Sequence, residues 1–156
     1  MTEVTDLLLM QQRLRNCSTV QELGHLVTND SKKILPYQTA LLWRVVSGRT
    51  TLLSISGIPT PATHTPFSHF TDLLIKQIGP QTDPHVLDPD ECDDDVREQW
   101  REYLAEHCLS VPLTSGLLIL ARDEPWLDDE IQLAGYWGGA VGHALGALER
   151  ERGLIL

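Results

Sequence analysis

The sequence predicts an α+β domain around a mostly antiparallel sheet, and three observations carry that expectation. Two pairs of short apolar runs are each split by a turn, the pattern of hairpin-joined strands. Stretches with helical periodicity lie between those pairs and at both ends of the chain, which places helices over a sheet rather than between parallel strands. Finally, 156 residues with 42% hydrophobic content suit one domain with a single substantial core.

The elements follow in order. "TDLLLMQQRLRNC" spaces Leu7, Leu8, Met10, Gln11 and Leu14 as a first amphipathic helix. In "STVQELGHLVTNDSKKIL", Thr19 and Glu22 form a capping box. The stripe Val20, Leu23, Leu26, Val27, Ile34 and Leu35 then predicts a second helix that runs to Pro36. "YQTALLWRVV" and "TTLLSISGI", separated by "SGR", predict a hairpin of strands over 37–46 and 50–58. Along the second of these, Ser54 and Ser56 alternate with Leu53 and Ile55, giving it one polar face.

Three prolines make "PTPATHTP" a loop, after which Phe67, Phe70, Leu74 and Ile78 share one face of a third helix. The connector "PQTDPHVLDPDECDDD" offers Val86 and Leu87 as a short edge strand, then Asp93, Asp94 and Asp95 at the start of the helix "VREQWREYLAEH". "CLSVPLT" and "GLLILARD" form the second hairpin, turning at Ser115 and Gly116. Asp128, Asp129 and Glu130 open the final helix, which runs nearly to the end.

That last helix carries Gly138, Gly139, Gly142 and Gly146, with Gly135 just before, although each interior glycine costs about 1 kcal/mol against alanine. Their i, i+4 spacing predicts a groove that a neighbouring backbone approaches closely, either within the monomer or across a dimer. Residues 131–148 hold no formal charge apart from His143, but too few large apolar groups for a membrane span.

The net charge of -10 disfavours nucleic acid and anionic membranes as partners, since both select clustered Lys and Arg. The N-terminus carries Glu3 and Asp6 where a secretory signal would be basic, so the expected location is the cytoplasm. Cys17, Cys92 and Cys108 have neither paired spacing nor an even count, which argues against a disulfide scaffold or zinc site. The acidic run Asp88, Asp90, Glu91, Asp93, Asp94 and Asp95 lacks the ordered spacing and glycine of a calcium loop and reads as a solvated helix start.

"LSVPLTSGLLILARDEPWLDDEIQLAGYWGGAVGHALGALE" resembles the closing half of a GAF domain: a strand ending in Val-Pro-Leu, a turn, a strand opening with Gly, a short linker and a long helix. "VQELGHLVTNDSKKILPYQTALLWRVVSGRTTLLSISG" is similar to that fold's opening helix and first hairpin, so the resemblance covers about residues 19–150. More narrowly, "ILPYQTALLWR", "TPF" and "AVGHALGALER" resemble a GAF-like region of bacterial membrane-fusion secretion proteins, which would attach the parent protein to a membrane. The resemblance implies a sheet of five or six strands, with the first and last helices on one face and a pocket under middle helices and loops on the other. The whole of 1–156 is then a single GAF-like domain, and the apolar "GLIL" after a charged helix end suggests excision from a longer chain.

A pocket of that type would draw on Trp43, Ser54, Ser56, Phe67, Phe70, Trp100 and Ser110, which mix aromatic walls with a few polar groups. Each also has a plainer role as core or surface. The cyclic-nucleotide pattern Asn-Lys-x-n-Phe-x-x-x-Asp-Glu is missing, and His107 precedes Cys108 where bilin-binding members place His after the attachment cysteine. Haem ligation by His64, His69, His85 or His107 would be against the habit of loop histidines.

The expected function is therefore a non-catalytic sensory or regulatory domain. It would bind an unidentified small molecule, signal through its terminal helices and pair as a homodimer through them. No cofactor is identified. One alternative is a structural or dimerisation module without ligand. Another is a thiol enzyme resembling free methionine-R-sulfoxide reductases, using Cys92 and Cys108, although the Gly-His-Ile-Ala-Cys type sequence is missing and nearby aspartates would weaken the thiols.

Overall fold

The computed structural model describes residues 2–46, 49–57, 65–78 and 82–155. The helices are α1 (Thr2–Arg15), α2 (Val20–Asn29), α3 (Pro66–Ile78), α4 (Asp94–Tyr103) and α5 (Asp128–Ile155). The strands are β1 (Thr39–Val46), β2 (Arg49–Ile55), β3 (His85–Val86), β4 (His107–Leu113) and β5 (Gly116–Arg122). They form one sheet in the order β2-β1-β5-β4-β3, with every neighbouring pair antiparallel. This is the predicted α+β architecture, with five strands.

Strand alternation sorts the sheet into two faces. Ala40, Leu42, Leu109, Val111, Leu118 and Leu120 pack against Met10 and Leu14 of α1, the α2 stripe, and Ala134, Trp137, Val141 and Leu145 of α5. Leu41, Trp43, Ile55, Cys108, Leu117, Ile119 and Ala121 point the other way, toward Phe70 and Leu74 of α3 and Val96 and Trp100 of α4. β5 is thus buried on both faces, which explains its unbroken aliphatic run.

Local chemistry moves several predicted boundaries. The Thr19 hydroxyl caps α2 by accepting from Glu22 N at 3.1 Å, while the Glu22 carboxylate reaches back to Ser18 N rather than to the cap residue. α2 stops at Asn29, well before Pro36, and a 3-10 turn spans Asp30–Lys33. Consecutive Thr, Asn, Asp and Ser are poor helix interiors, and the Thr28 and Ser31 hydroxyls bond back to Gly24 O and Val27 O. α4 starts at Asp94 because Asp93 caps it through Val96 N, and it ends before His107, which pairs into β4. The edge strand is His85–Val86, one residue earlier than expected. Most of the proline loop over 59–66, including His64, lies outside the described residues.

β1 and β2 slip register between Leu42 and Trp43: Leu42 faces Ser54 while Trp43 faces Leu52. Leu53 is the extra residue of this bulge, and both Leu53 and Ser54 turn toward α2, within 3.6 and 3.0 Å of where a Gly24 Cβ would stand.

The glycines of α5 divide by position. A Cβ on Gly138 would meet Val111 Cγ1 at 2.5 Å, and one on Gly142 would meet Thr114 N at 3.3 Å. These two let the helix lie against β4. Gly139, by contrast, has nothing within 4 Å, and Gly146 only the Arg150 side chain of its own helix. At the start of α5, Arg122 is 8% exposed and grips Glu130 with two bonds of 2.5 and 2.8 Å. It also donates to Pro36 O, Glu124 O and Pro125 O, and it stacks 3.8 Å from the Trp126 ring centroid. The Arg122 bonds hold the Glu130 carboxyl below its usual range.

Candidate pocket between the sheet and helices α3 and α4

Trp43, Phe67, Phe70, Trp100 and Ser110 belong to one layer, between the sheet and α3–α4. Phe70 and Trp100 are there because i, i+3 and i, i+4 positions of their helices face the sheet, and Trp43 because it follows Leu41 at a strand period. Phe67, Phe70 and Tyr103 form an aromatic triangle with centroid separations of 6.5, 5.4 and 5.4 Å. Tyr103 was not among the expected pocket residues, though its place three residues after Trp100 is the signal that puts it there. Trp100 Nε1 is satisfied by Ala105 O at 3.0 Å.

Ser110 pairs across β4 with Ile119 and His85, so its side chain shares the face of Cys108 and Ile119. It is fully buried, and its Oγ has no hydrogen-bond partner; Trp43, 1% exposed, has an unpartnered Nε1 on the same face. Such groups are uncommon in folded proteins, because an unmatched buried donor costs about 1–3 kcal/mol.

Ser54 lies on the opposite face, and Ser56 lies in the turn beyond the end of β2. Ser54 Oγ bonds the Thr28 hydroxyl at 2.8 Å, and Ser56 Oγ accepts from Ala40 N at 2.9 Å. Ser54 thus sits in a seam with α2, while Ser56 is matched by the β1 backbone.

A cavity of about 120 Å³ opens at the edge of the layer, lined by Leu74, Ile78, His85, Leu87, Cys92 and Trp100 among others. Gln77 borders it and ties α3 to the α4 cap: its Oε1 accepts from Asp93 N at 3.0 Å, and its Nε2 donates to the Asp93 carboxylate. Burial pushes the Cys92 thiol up, helped by Asp93, Glu91 and Asp88, and burial raises Cys108 further. Neither thiol is primed as a thiolate nucleophile. Among the described residues no three His, Cys, Asp or Glu side chains gather around a point where they could hold a metal ion. No helix among the described residues is long and apolar enough to cross a membrane.

No family model and no curated relative matches the sequence. Solved structures do. The GAF domain of a protein assigned as a sensor histidine kinase from Pseudomonas syringae pv. tomato superposes with a TM-score of 0.69 at 13% identity, over 98% of this chain and 91% of that one. The GAF domain of an Acinetobacter phosphoenolpyruvate-protein phosphotransferase gives 0.68 at 12% identity, over 94% of each chain. The GAF domain of the cyanobacteriochrome TePixJ gives 0.62 at 17%, over 87% of this chain and 94% of that one. The chain has the GAF fold.

Proposed function

We propose that this chain is a non-catalytic sensory or regulatory domain that takes a small molecule between its sheet and α3–α4 and passes occupancy on through α1 and α5. The observation that carries the reading is the pair of buried, unpartnered polar groups, Trp43 Nε1 and Ser110 Oγ, on the face predicted to hold a ligand. A bound molecule that satisfied them would recover a cost the free domain bears. Folds of this kind also occur in a protein assigned as a sensor kinase and in a cyanobacteriochrome, which supports a sensory role.

The route outward is β4. Ser110 faces the proposed ligand, while its neighbour Val111 faces α5 at the point where Gly138 leaves no room for a Cβ. A ligand that binds one β4 position better than another would therefore bias the seating of α5 by its difference in affinity. Leu8 and Leu9 on α1 and Tyr136 on α5 are 59%, 54% and 60% exposed, which supports a homodimer joined through the terminal helices. The acidic surface fits neither nucleic acid nor direct membrane binding, and the proposed location is the cytoplasm.

A second reading also has an observation behind it. Trp43, Trp100, Phe70 and Leu74 fill much of the layer themselves, as they would in a structural module without a ligand. The raised Cys92 and Cys108 thiols weigh against the reductase-like enzyme. Native mass spectrometry of gently purified protein, followed by denaturation, separates the first two. A small molecule released on denaturation supports the sensor; a clean chain that binds nothing from a metabolite extract supports the structural module.

A further inference from the structure

We propose that the cavity between the end of α3, β3 and α4 takes the apolar tail of a small organic ammonium ion of about five carbons, whose charged head meets Asp88 and Glu91. The proposal rests on the ligand-binding reading above and gives the molecule a place and a chemical class.

Volume sets the size. The cavity measures about 120 Å³. An apolar cavity of about 150 Å³ takes a benzene ring, so this one suits a slightly smaller body, such as a short branched chain. Leu74, Ile78, Leu87 and Trp100 supply apolar wall for it, and Leu74 and Trp100 are buried and close its inner end. Cys92 adds a thiol that burial, with Asp93, Glu91 and Asp88 nearby, keeps protonated at neutral pH, so it is a soft wall and not an anion.

Charge sets the class. No Lys or Arg lines this cavity, whereas Asp88 and Glu91 both do. The Glu91 side chain makes no ion pair or hydrogen bond among the described residues, and Asp88 spends one oxygen on Asp90 N at 2.9 Å. The other polar groups of the lining are engaged: Asp93 holds both ends of the Gln77 amide, and His85 Nδ1 lies 3.3 Å from Asp83 O. Arg97 and Arg101 line a separate cleft of about 340 Å³ with Asp90 and Glu106, and Arg97 is already paired with Asp94. A carboxylate guest would therefore meet like charge at Asp88 and Glu91, and an alcohol would leave their attraction unused. An ammonium head gains it at the rim, where it keeps most of its water. The net charge of -10 on the chain adds a field of the same sign.

The test titrates the whole chain with three compounds of one shape: isopentylamine, a cation at neutral pH; isopentanol, which is neutral; and 3-methylbutanoate, an anion. Binding is read from the methyl resonances of Leu74 and Leu87 and from the Trp100 indole N–H. The expected result is that isopentylamine shifts all three signals and binds about fivefold more tightly than isopentanol, a modest preference because both carboxylates are solvent-exposed. 3-Methylbutanoate binds weakest. Asp88→Asn combined with Glu91→Gln erases the preference, and the asparagine still accepts from Asp90 N, so the local turn is kept. Glu98→Gln combined with Glu102→Gln removes the same charge from the exposed side of α4 and keeps the preference. If isopentanol or 3-methylbutanoate binds as tightly as the amine, or if the two double variants behave alike, the ammonium class is overturned. If no compound moves the Leu74, Leu87 and Trp100 signals, the cavity is not the site and the proposal falls. A molecule released from the same protein on denaturation would then keep the ligand-binding reading and place its site elsewhere.

Discussion

Gly138 and Gly139 are neighbours in one helix, yet alanine at the two positions should move stability in opposite directions. Both substitutions gain about 1 kcal/mol from helix propensity. At Gly139 nothing lies within 4 Å of the new methyl, so the gain is kept. At Gly138 the methyl would stand 2.5 Å from Val111 Cγ1 and 3.4 Å from Leu113 Cδ2. Valine is stiff about χ1 and cannot swing clear, so α5 or β4 must shift, at a typical overpacking cost of about 1–3 kcal/mol. The net expectation for Gly138→Ala is a loss of about 1 kcal/mol, against a gain of about 1 kcal/mol for Gly139→Ala. For a chain of this size each corresponds to a midpoint change of about 2–4 °C. Urea and thermal unfolding of both variants, at two protein concentrations, measure this. A Gly138→Ala variant as stable as Gly139→Ala would refute the close approach of α5 to β4. A Gly139→Ala variant that destabilises only at high protein concentration would place a second copy against that face.

Glu130→Gln should cost about 3 kcal/mol, because it leaves the Arg122 guanidinium buried without its counter-charge. The pair also sets a pH dependence. Since the Glu130 pKa is lowered in the fold, its contribution is full above the unfolded carboxyl value and disappears as pH falls through the lower folded one. Unfolding midpoints across the acid range should therefore drop more steeply for the native chain than for Glu130→Gln. Thr28→Val strands the Ser54 hydroxyl and should cost about 1–3 kcal/mol in urea unfolding, whereas Thr28→Val with Ser54→Ala should cost less than Thr28→Val alone. Cys108 is buried and Cys17 and Cys92 partly so, and burial raises all three thiols. A chromogenic disulfide reagent at neutral pH should modify Cys17 and Cys92 more slowly than free cysteine, and Cys108 only in denaturant.

The hairpins were legible because strands buried on both faces write themselves as aliphatic runs, as "GLLILAR" does. The helices were legible from spacing that put Phe70 with Leu74 and Leu23 with Val27 on buried faces. The candidate site residues divide. Periodicity brought Trp43, Phe67, Phe70, Trp100 and Ser110 to one layer, but Ser54 went to the other and Ser56 to the turn after β2. A polar strand face does not say which side of the sheet it takes, and here α2 supplies Thr28 to match it. The bulge at Leu53 also breaks the simple alternation, and a one-residue insertion in a strand leaves no mark in the sequence. Likewise, the repeated glycines marked a close approach without saying that β4, through Gly138 and Gly142, was the neighbour.

The Arg122–Glu130 clamp has a mechanical consequence. α5 is 28 residues long, roughly 42 Å, while the seven residues of β4 beneath it span only roughly 23 Å. The clamp holds the first turn of α5, while along its far half Leu145 and Leu148 stay in the core and Glu149 stands 3.8 Å from Arg44 of β1. A tilt of about 5° at that turn would carry the opposite end of such a rod by roughly 4 Å, so the core seat of Leu148 and the Arg44–Glu149 pair must shift together for α5 to move.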